Sequence, residues 1–244
     1  MVVRPDGAAR QAIFMAQTYV TLLSGGLDST VASYAALQLG PVALALVFDY
    51  GQHAAKREVE AARAIAKRLK AECKVIKLPF LEEVTKTSLV MNEKVIPQIK
   101  MAQLDDRSAA EKSAAQVWVP NRNGLFLNVA ATLAEGLGFS EVVVGFNAEE
   151  AVTFPDNSAN FVSRAESFFE LSTLSRVKVS APTIGMTKTE IVKEGLKWDV
   201  PFSEIWSCYR GCKKMCGRCE SCLRSMRAYR NAGIWEKLRE RFEG

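Results

Sequence analysis

One histidine in 244 residues, no apolar run long enough to span a bilayer, and neither common glycine-rich nucleotide fingerprint: these absences narrow the chemistry before any motif is weighed. With His53 the lone imidazole and no G-x-S-x-G elbow beside any serine, a Ser-His-Asp hydrolase is excluded in its usual form, and His53 is expected at a helix start or ligand edge. G-x-x-x-x-G-K-[ST] and G-x-G-x-x-G are both missing. The apolar patch around Ala12 to Ala16 is too short for a secretory core, so residues 1–17 read as an extension and the thiols are expected in a reducing cytoplasm. An excess of 32 Lys and Arg over 27 Asp and Glu gives a net charge of +5, which suits anionic small molecules and is too mild to call for nucleic acid. A 48% hydrophobic fraction excludes a disordered chain and is enough for one large core.

What is present begins with Ser24-Gly25-Gly26-Leu27-Asp28-Ser29, directly after the apolar run Val20-Thr21-Leu22-Leu23. A strand that ends in two glycines and runs straight into a helix brings backbone N–H groups close to an anion, and Ser24, Ser29 and Thr30 add hydroxyl donors at the helix N-terminus. The loop reads as a phosphate cradle and resembles that of the ATP pyrophosphatase (PP-loop) superfamily. That resemblance implies cleavage of ATP between the α- and β-phosphates with adenylation of a substrate oxygen.

Five of the six cysteines crowd near the other end, at Cys208, Cys212, Cys216, Cys219 and Cys222. Cys216-x-x-Cys219-x-x-Cys222 points three thiolates at one ion, and spacing permits either Cys208 or Cys212 as the fourth ligand. Zinc is the expected metal because a closed thiolate shell suits an ion without redox chemistry, with an iron–sulfur cluster as the competitor. Cys73, isolated beside a strand-like stretch, reads as a small apolar filler.

Between these two features, short β-branched runs predict strands at Tyr19 to Leu23, Val42 to Phe48, Lys74 to Leu78, Glu141 to Val144 and Val177 to Val179. Helical patterns fall at Ser29 to Leu39, Ala54 to Leu69, Leu125 to Leu137, Asn160 to Leu171 and Thr187 to Leu196, the last opened by a capping-box sequence. The alternation predicts an α/β fold, a parallel sheet with helices on both faces, over residues 18–200, followed by a metal-binding and helical segment over 201–244. Gln98 to Gln116 is polar and Ala-rich, either a short helix or a flap over the site. Ligands are expected at the carboxyl ends of the strands. There stand Phe48-Asp49-Tyr50-Gly51-Gln52, Pro120-Asn121-Arg122-Asn123-Gly124 ahead of a helix, and Gly145-Phe146-Asn147-Ala148-Glu149-Glu150.

Together with Phe154-Pro155-Asp156, Met186-Thr187-Lys188-Thr189-Glu190 and Trp206-Ser207-Cys208-Tyr209 leading to the cysteine run, these segments resemble the 7-cyano-7-deazaguanine synthase family over about Tyr19 to Gly233. Departures are Asn157 and Ile205, where the family often carries Cys and Thr. The resemblance implies a Rossmann-like fold of the adenine nucleotide alpha hydrolase type. It implies a cytoplasmic, homodimeric ligase that forms carbon–nitrogen bonds, converting 7-carboxy-7-deazaguanine and ammonia to the nitrile on the route to queuosine or archaeosine. ATP with Mg²⁺ would lie along Leu23-Ser24-Gly25-Gly26-Leu27-Asp28-Ser29-Thr30-Val31-Ala32-Ser33, with Ser24, Asp28 and Lys188 acting on the phosphates. Phe48, Tyr50, Arg122, Asn147 and Asp156 would hold the base, Asp156 meeting its guanine-like edge, and Cys208 would complete a structural zinc site with Cys216, Cys219 and Cys222. Small molecules are then the expected partners, without nucleic acid or membrane. A tRNA-modifying adenylating enzyme shares the loop and is the alternative; a zinc-ribbon binding module would leave the cradle unexplained.

Overall fold

The structure is a computed structural model that describes residues 18–243, so the extension expected over 1–17 lies outside the described residues. Five parallel strands form one sheet in the order β3-β2-β1-β4-β5: β1 Tyr19–Leu22, β2 Val42–Asp49, β3 Glu72–Lys77, β4 Glu141–Val143 and β5 Lys178–Ser180. Period-two alternation in β2 sends Ala45 and Val47 into one hydrophobic cluster and Leu44, Leu46 and Phe48 into another, so both faces are covered, as the alternating pattern predicts. On the first face lie α1 Leu27–Leu37, α2 Ala55–Leu69 and, later in the chain, α8 Lys188–Lys197 and α9 Glu220–Asn231. On the second lie α3 Pro79–Val84, α4 Arg107–Val117, α5 Arg122–Leu137 and α7 Ala159–Ser172. Two single-turn helices, α6 Ala148–Ala151 and α10 Trp235–Leu238, follow β4 and α9.

Local chemistry explains the boundaries. The buried stripe of α2, Ala61, Ala62, Ile65, Ala66 and Leu69, repeats at helical spacing and ends where Lys70 turns left-handed at φ 58°. At α8 the expected capping box is formed, with Thr187 N donating to Glu190 Oε2 at 2.8 Å and Glu190 N to Thr187 Oγ1 at 3.3 Å.

The Gln98 to Gln116 stretch resolves into a 3₁₀ turn at Met101–Gln103 and α4, which Asp106 caps by accepting from Ser108 N and Ala109 N. Most starts fall within one residue of expectation, and three differ by two or three. Strand β3 begins at Glu72 rather than Lys74. Helix α1 begins at Leu27 rather than Ser29, and α5 at Arg122 rather than Leu125, because left-handed Asn121 (φ 50°) lets the chain enter the helix early. Among the described residues, no helix is long and apolar enough to cross a membrane.

The order 3-2-1-4-5 reverses direction between β1 and β4, and such a switch point opens a crevice at the strands' carboxyl ends. The loops leaving β1 and β4 therefore meet there.

Candidate functional site

Gly25 and Gly26 have different tasks in the first loop. Gly25 sits at φ +77°, and a Cβ there would stand 2.7 Å from Ala61 Cβ and 2.8 Å from Ala62 N, so the loop is seated directly on α2. Gly26 precedes α1 without any side-chain cap, leaving the first-turn amides to whatever anion enters. Ser24 Oγ and Ser29 Oγ are 3.0 Å apart at the mouth of this turn. Gly145, leaving β4, crosses so close that a Cβ would lie 2.3 Å from Ser29 N; only glycine lets the two loops of the switch point touch.

Some expected nucleotide contacts are part of the core instead. Leu23 is fully buried ahead of α1, its amide donating to Leu46 O at 2.8 Å, and Val31, Ala32 and Ser33 are fully buried because beyond the first turn of α1 side chains pack in the core and amides bond within the helix. Ser33 Oγ donates to Ser29 O at 2.7 Å, and Thr30 Oγ1 donates to Gly26 O at 2.6 Å, so neither hydroxyl is a free phosphate donor.

Asp28 and Lys188, each expected at the phosphates, pair with one another, Lys188 Nζ standing 2.5 Å from Asp28 Oδ2, and a third partner joins them: Glu150 Oε1 lies 2.8 Å from the same ammonium. Lys188 is buried at 3% side-chain exposure, so its charge is matched by two carboxylates before any phosphate arrives. Burial raises the Asp28 carboxyl to about 6, with Lys188 pulling it down and Glu150 and Glu149 pushing it up. Asp28 Oδ1 has no protein partner. Glu149 anchors the adjoining turn, accepting from Lys188 N at 2.8 Å and pairing with Arg224 at 2.8 Å and Arg227 at 2.9 Å.

The cleft, about 230 Å³, runs from this cradle to an aromatic side. Phe48 lines it and stacks on Phe126 with centroids 3.9 Å apart, and Tyr50 Oη accepts from Arg122 Nη1 at 3.3 Å. Phe48, Tyr50 and Arg122 thus share one cavity with Ser24, Asp28 and Lys188.

Asn147 and Asp156 are not among its walls. Asn147 is fully buried and caps α6, its Oδ1 accepting from Glu150 N at 2.9 Å. Asp156 Oδ1 accepts from Asn157 at 3.3 Å; burial raises its carboxyl while the nearby Arg122 charge opposes that. Glu58, which the sequence reading passed over inside an ordinary amphipathic helix, does line the cleft. Its Oε2 accepts from Gln52 Nε2 at 2.7 Å, and burial raises its carboxyl. His53 is not among the cleft residues, and its amide donates to Leu89 O at 2.9 Å.

The sulfurs of Cys208, Cys216, Cys219 and Cys222 lie within 4.8 Å of one another, all four residues buried, whereas Cys212 is exposed and outside the group. Between Cys216 and Cys222 the sulfurs are 3.9 Å apart, close to the ~3.8 Å edge of a tetrahedron with ~2.3 Å metal–sulfur bonds. The amides of Arg210 and Cys216 donate to Cys208 Sγ at 3.3 Å, as suits a thiolate. These four residues can hold a metal ion, and the fourth ligand left open by spacing is Cys208. The same segment reaches the cleft: Trp206, Ser207 and Tyr209 line it, and Trp206 N donates to Gly25 O at 2.8 Å.

Comparison with known proteins agrees with this arrangement. A family model described as Queuosine biosynthesis protein QueC matches residues 18–233. A 7-cyano-7-deazaguanine synthase of Pelotomaculum thermopropionicum is 53% identical over 215 residues, covering 88% of this chain and 97% of that protein. Synthases of the same name from Methanosarcina mazei and Methanocaldococcus jannaschii are 45% and 42% identical, covering 91% and 90% of this chain and 97% of each relative. With the match running through cradle, cleft and cysteine knot alike, the chain belongs to the queuosine biosynthesis protein QueC family.

Proposed function

We propose that this chain is a 7-cyano-7-deazaguanine synthase, which uses ATP to convert 7-carboxy-7-deazaguanine and ammonia to the nitrile. The observation that carries the reading is that an uncapped, serine-lined helix N-terminus and an arginine beside an aromatic stack open into one cleft at the sheet's switch point. The names of relatives that align along nearly their whole length support it.

A carboxylate oxygen is a poor leaving group until it carries AMP. Attack of the substrate carboxylate on the α-phosphate forms the acyl-adenylate and expels pyrophosphate. Ammonia then displaces AMP with loss of a proton, giving the amide. Adenylation of the amide oxygen by a second ATP releases another pyrophosphate, and loss of AMP and of both amide protons leaves the carbon–nitrogen triple bond.

The chain's part is positioning and charge. Ser24, Ser29 and the first amides of α1 would hold the departing pyrophosphate. Arg122, with its orientation steadied by Tyr50, would hold the substrate carboxylate by its planar fork. Phe48 and Tyr50 would wall the base. The base's amino-pyrimidinone edge presents N–H donors, and the carboxylate that lines the cleft outside the Lys188 ion group is Glu58, which would take the role expected of Asp156; Asp156, outside the cleft walls, would act on the substrate through the charge of Arg122.

Mg²⁺ would neutralise phosphate charge, and the unpartnered Oδ1 of Asp28 is the donor suited to it. Zinc would be held by Cys208, Cys216, Cys219 and Cys222 in a closed shell, a structural role that leaves no position for substrate.

The deciding experiment incubates the purified protein with 7-carboxy-7-deazaguanine, ATP and ammonium and identifies products by mass spectrometry. The nitrile with two AMP per turnover is expected. ATP left intact, or adenylation of a nucleic acid in its place, would defeat the proposal.

A further inference from the structure

Helix α9 begins inside the cysteine knot, with Cys219 as its N-cap and Cys222 in its first turn, and two residues later carries a buried arginine. Arg224 joins three parts of the fold. Its Nε and Nη2 donate to Glu220 at 3.0 and 2.9 Å, its Nη2 also donates to Leu104 O at 3.2 Å, and its Nη1 donates to Glu149 at 2.8 Å. Glu149 is next to Glu150, whose carboxylate holds Lys188, which in turn holds Asp28 in the cradle. The opposite oxygen of Glu149 accepts the first amide of α8, so the turn bearing Glu150 is clamped from both sides.

We propose that Arg224 is a positioning residue that couples the cysteine-bound metal to the nucleotide cradle by way of Glu149 and the Glu150–Lys188–Asp28 ion group. The inference rests on the proposed adenylation chemistry and zinc site and deepens them. It assigns to the metal segment a consequence for ATP binding that a closed thiolate shell alone would not have. Its physical basis is rigidity: a buried guanidinium with a partner at each of its three nitrogens cannot move without breaking several charge-assisted hydrogen bonds, so a displacement of α9 must move Glu149 with it. The amide contact from Trp206 to Gly25 ties the same segment to the floor of the loop and does not reach the ion group.

Linkage supplies the test, because a coupling that lets metal organise the ATP site must let ATP retain the metal by the same factor. The equilibrium distribution of zinc between the zinc-loaded full chain and a chromogenic chelator is measured with and without saturating ATP and Mg²⁺. In the wild type ATP should raise the apparent zinc affinity by at least about fivefold. In Arg224→Met that ratio should fall, with the Arg227–Glu149 pair of the same helix setting what is left, and in Glu149→Gln it should fall toward one, each at ATP concentrations shown by titration to saturate it. Activity adds a second readout: kcat for pyrophosphate release should drop about tenfold to a hundredfold with zinc content unchanged, and Arg224→Lys should restore part of it. A ratio equal to the wild type's in a folded variant, or no gain of zinc affinity with ATP in the wild type itself, overturns the coupling. If Arg224→Met does not fold, Glu149→Gln carries the same outcomes, since it leaves the arginine paired with Glu220. Failure of the proposed function is seen separately, as absence of nitrile, because zinc retention depends only on ATP binding.

Discussion

Asp28 shows how one side chain ties stability to activity. Buried beside two other carboxylates, its carboxyl is raised to about 6, yet it must be ionised to hold Lys188 and to offer Oδ1 to Mg²⁺. Pyrophosphate release should therefore fall as pH drops through about 6, and a pH–rate profile would show it; Asp28→Asn should be nearly inactive at every pH. Stability has the opposite sign. A carboxyl with its folded value above the ordinary 3.8 favours the folded state fully below that value, and the contribution is lost as pH rises through about 6. The active form is thus the less stable one with respect to this group. Gly145 sets a steric condition at the same place. An alanine Cβ would lie 2.3 Å from backbone N and 2.4 Å from Cα of Ser29, which no side-chain rotation relieves. Gly145→Ala should cost about 1–3 kcal/mol in urea unfolding and weaken ATP binding measured by calorimetry. Glu58→Gln should raise KM for the carboxylated base far more than KM for ATP, by about 1–3 kcal/mol of lost hydrogen bonding. Equal effects on both substrates would remove Glu58 from the base edge.

At the scale of elements, the cysteine knot is where a helix starts and two loops end. Cys219 and Cys222 start α9, Cys208 ends the stretch that begins with Trp206, and Gln98 bridges to Cys219 from the segment ahead of α4. Removing the ion would leave four buried thiols crowded within 4.8 Å, so the elements around it should loosen together. Cys208→Ser should lower zinc content and melting temperature sharply, whereas Cys212→Ser should keep both near wild type, because Cys212 is exposed and outside the cluster. Elemental analysis with calorimetry checks the pair, and iron with acid-labile sulfide would overturn the zinc assignment.

For the whole molecule, the core does not respect the boundary drawn at residue 200. One buried cluster contains Leu23, Ile65 and Ile191 from the nucleotide-binding part and Ile205, Trp206, Tyr229 and Cys222 from beyond it. A chain ending at 200 would leave α1, α2 and α8 with an uncovered apolar face. We expect it to be protease-sensitive and without a cooperative melt. A stable fragment that binds ATP would show that the first part folds by itself.

The cradle, the strand alternation and the cysteine spacing were legible in the residues because each is local: a glycine pair, a period of two and a ligand interval act within a few positions of chain. Family resemblance selected Cys208 over Cys212 before geometry did. Legibility ended where partners are distant in sequence. Nothing near Glu58 distinguishes it from a solvated helix residue, and the segment ending in Glu150, legible as a strand end that meets ligand, shows no partner until β4 and α8 converge; Lys188 finds Asp28 across 160 positions and Arg224 finds Glu149 across 75. The resemblance sets the nucleotide along Leu23 to Ser33, but Leu23 is buried ahead of α1, and α1 is buried all round at Val31, Ala32 and Ser33, which the stretch read alone does not reveal. Local sequence carries periodicity and turn chemistry. Which charges face one another across a crevice depends on the crossover that places β4 beside β1, and that is a property of the packed sheet.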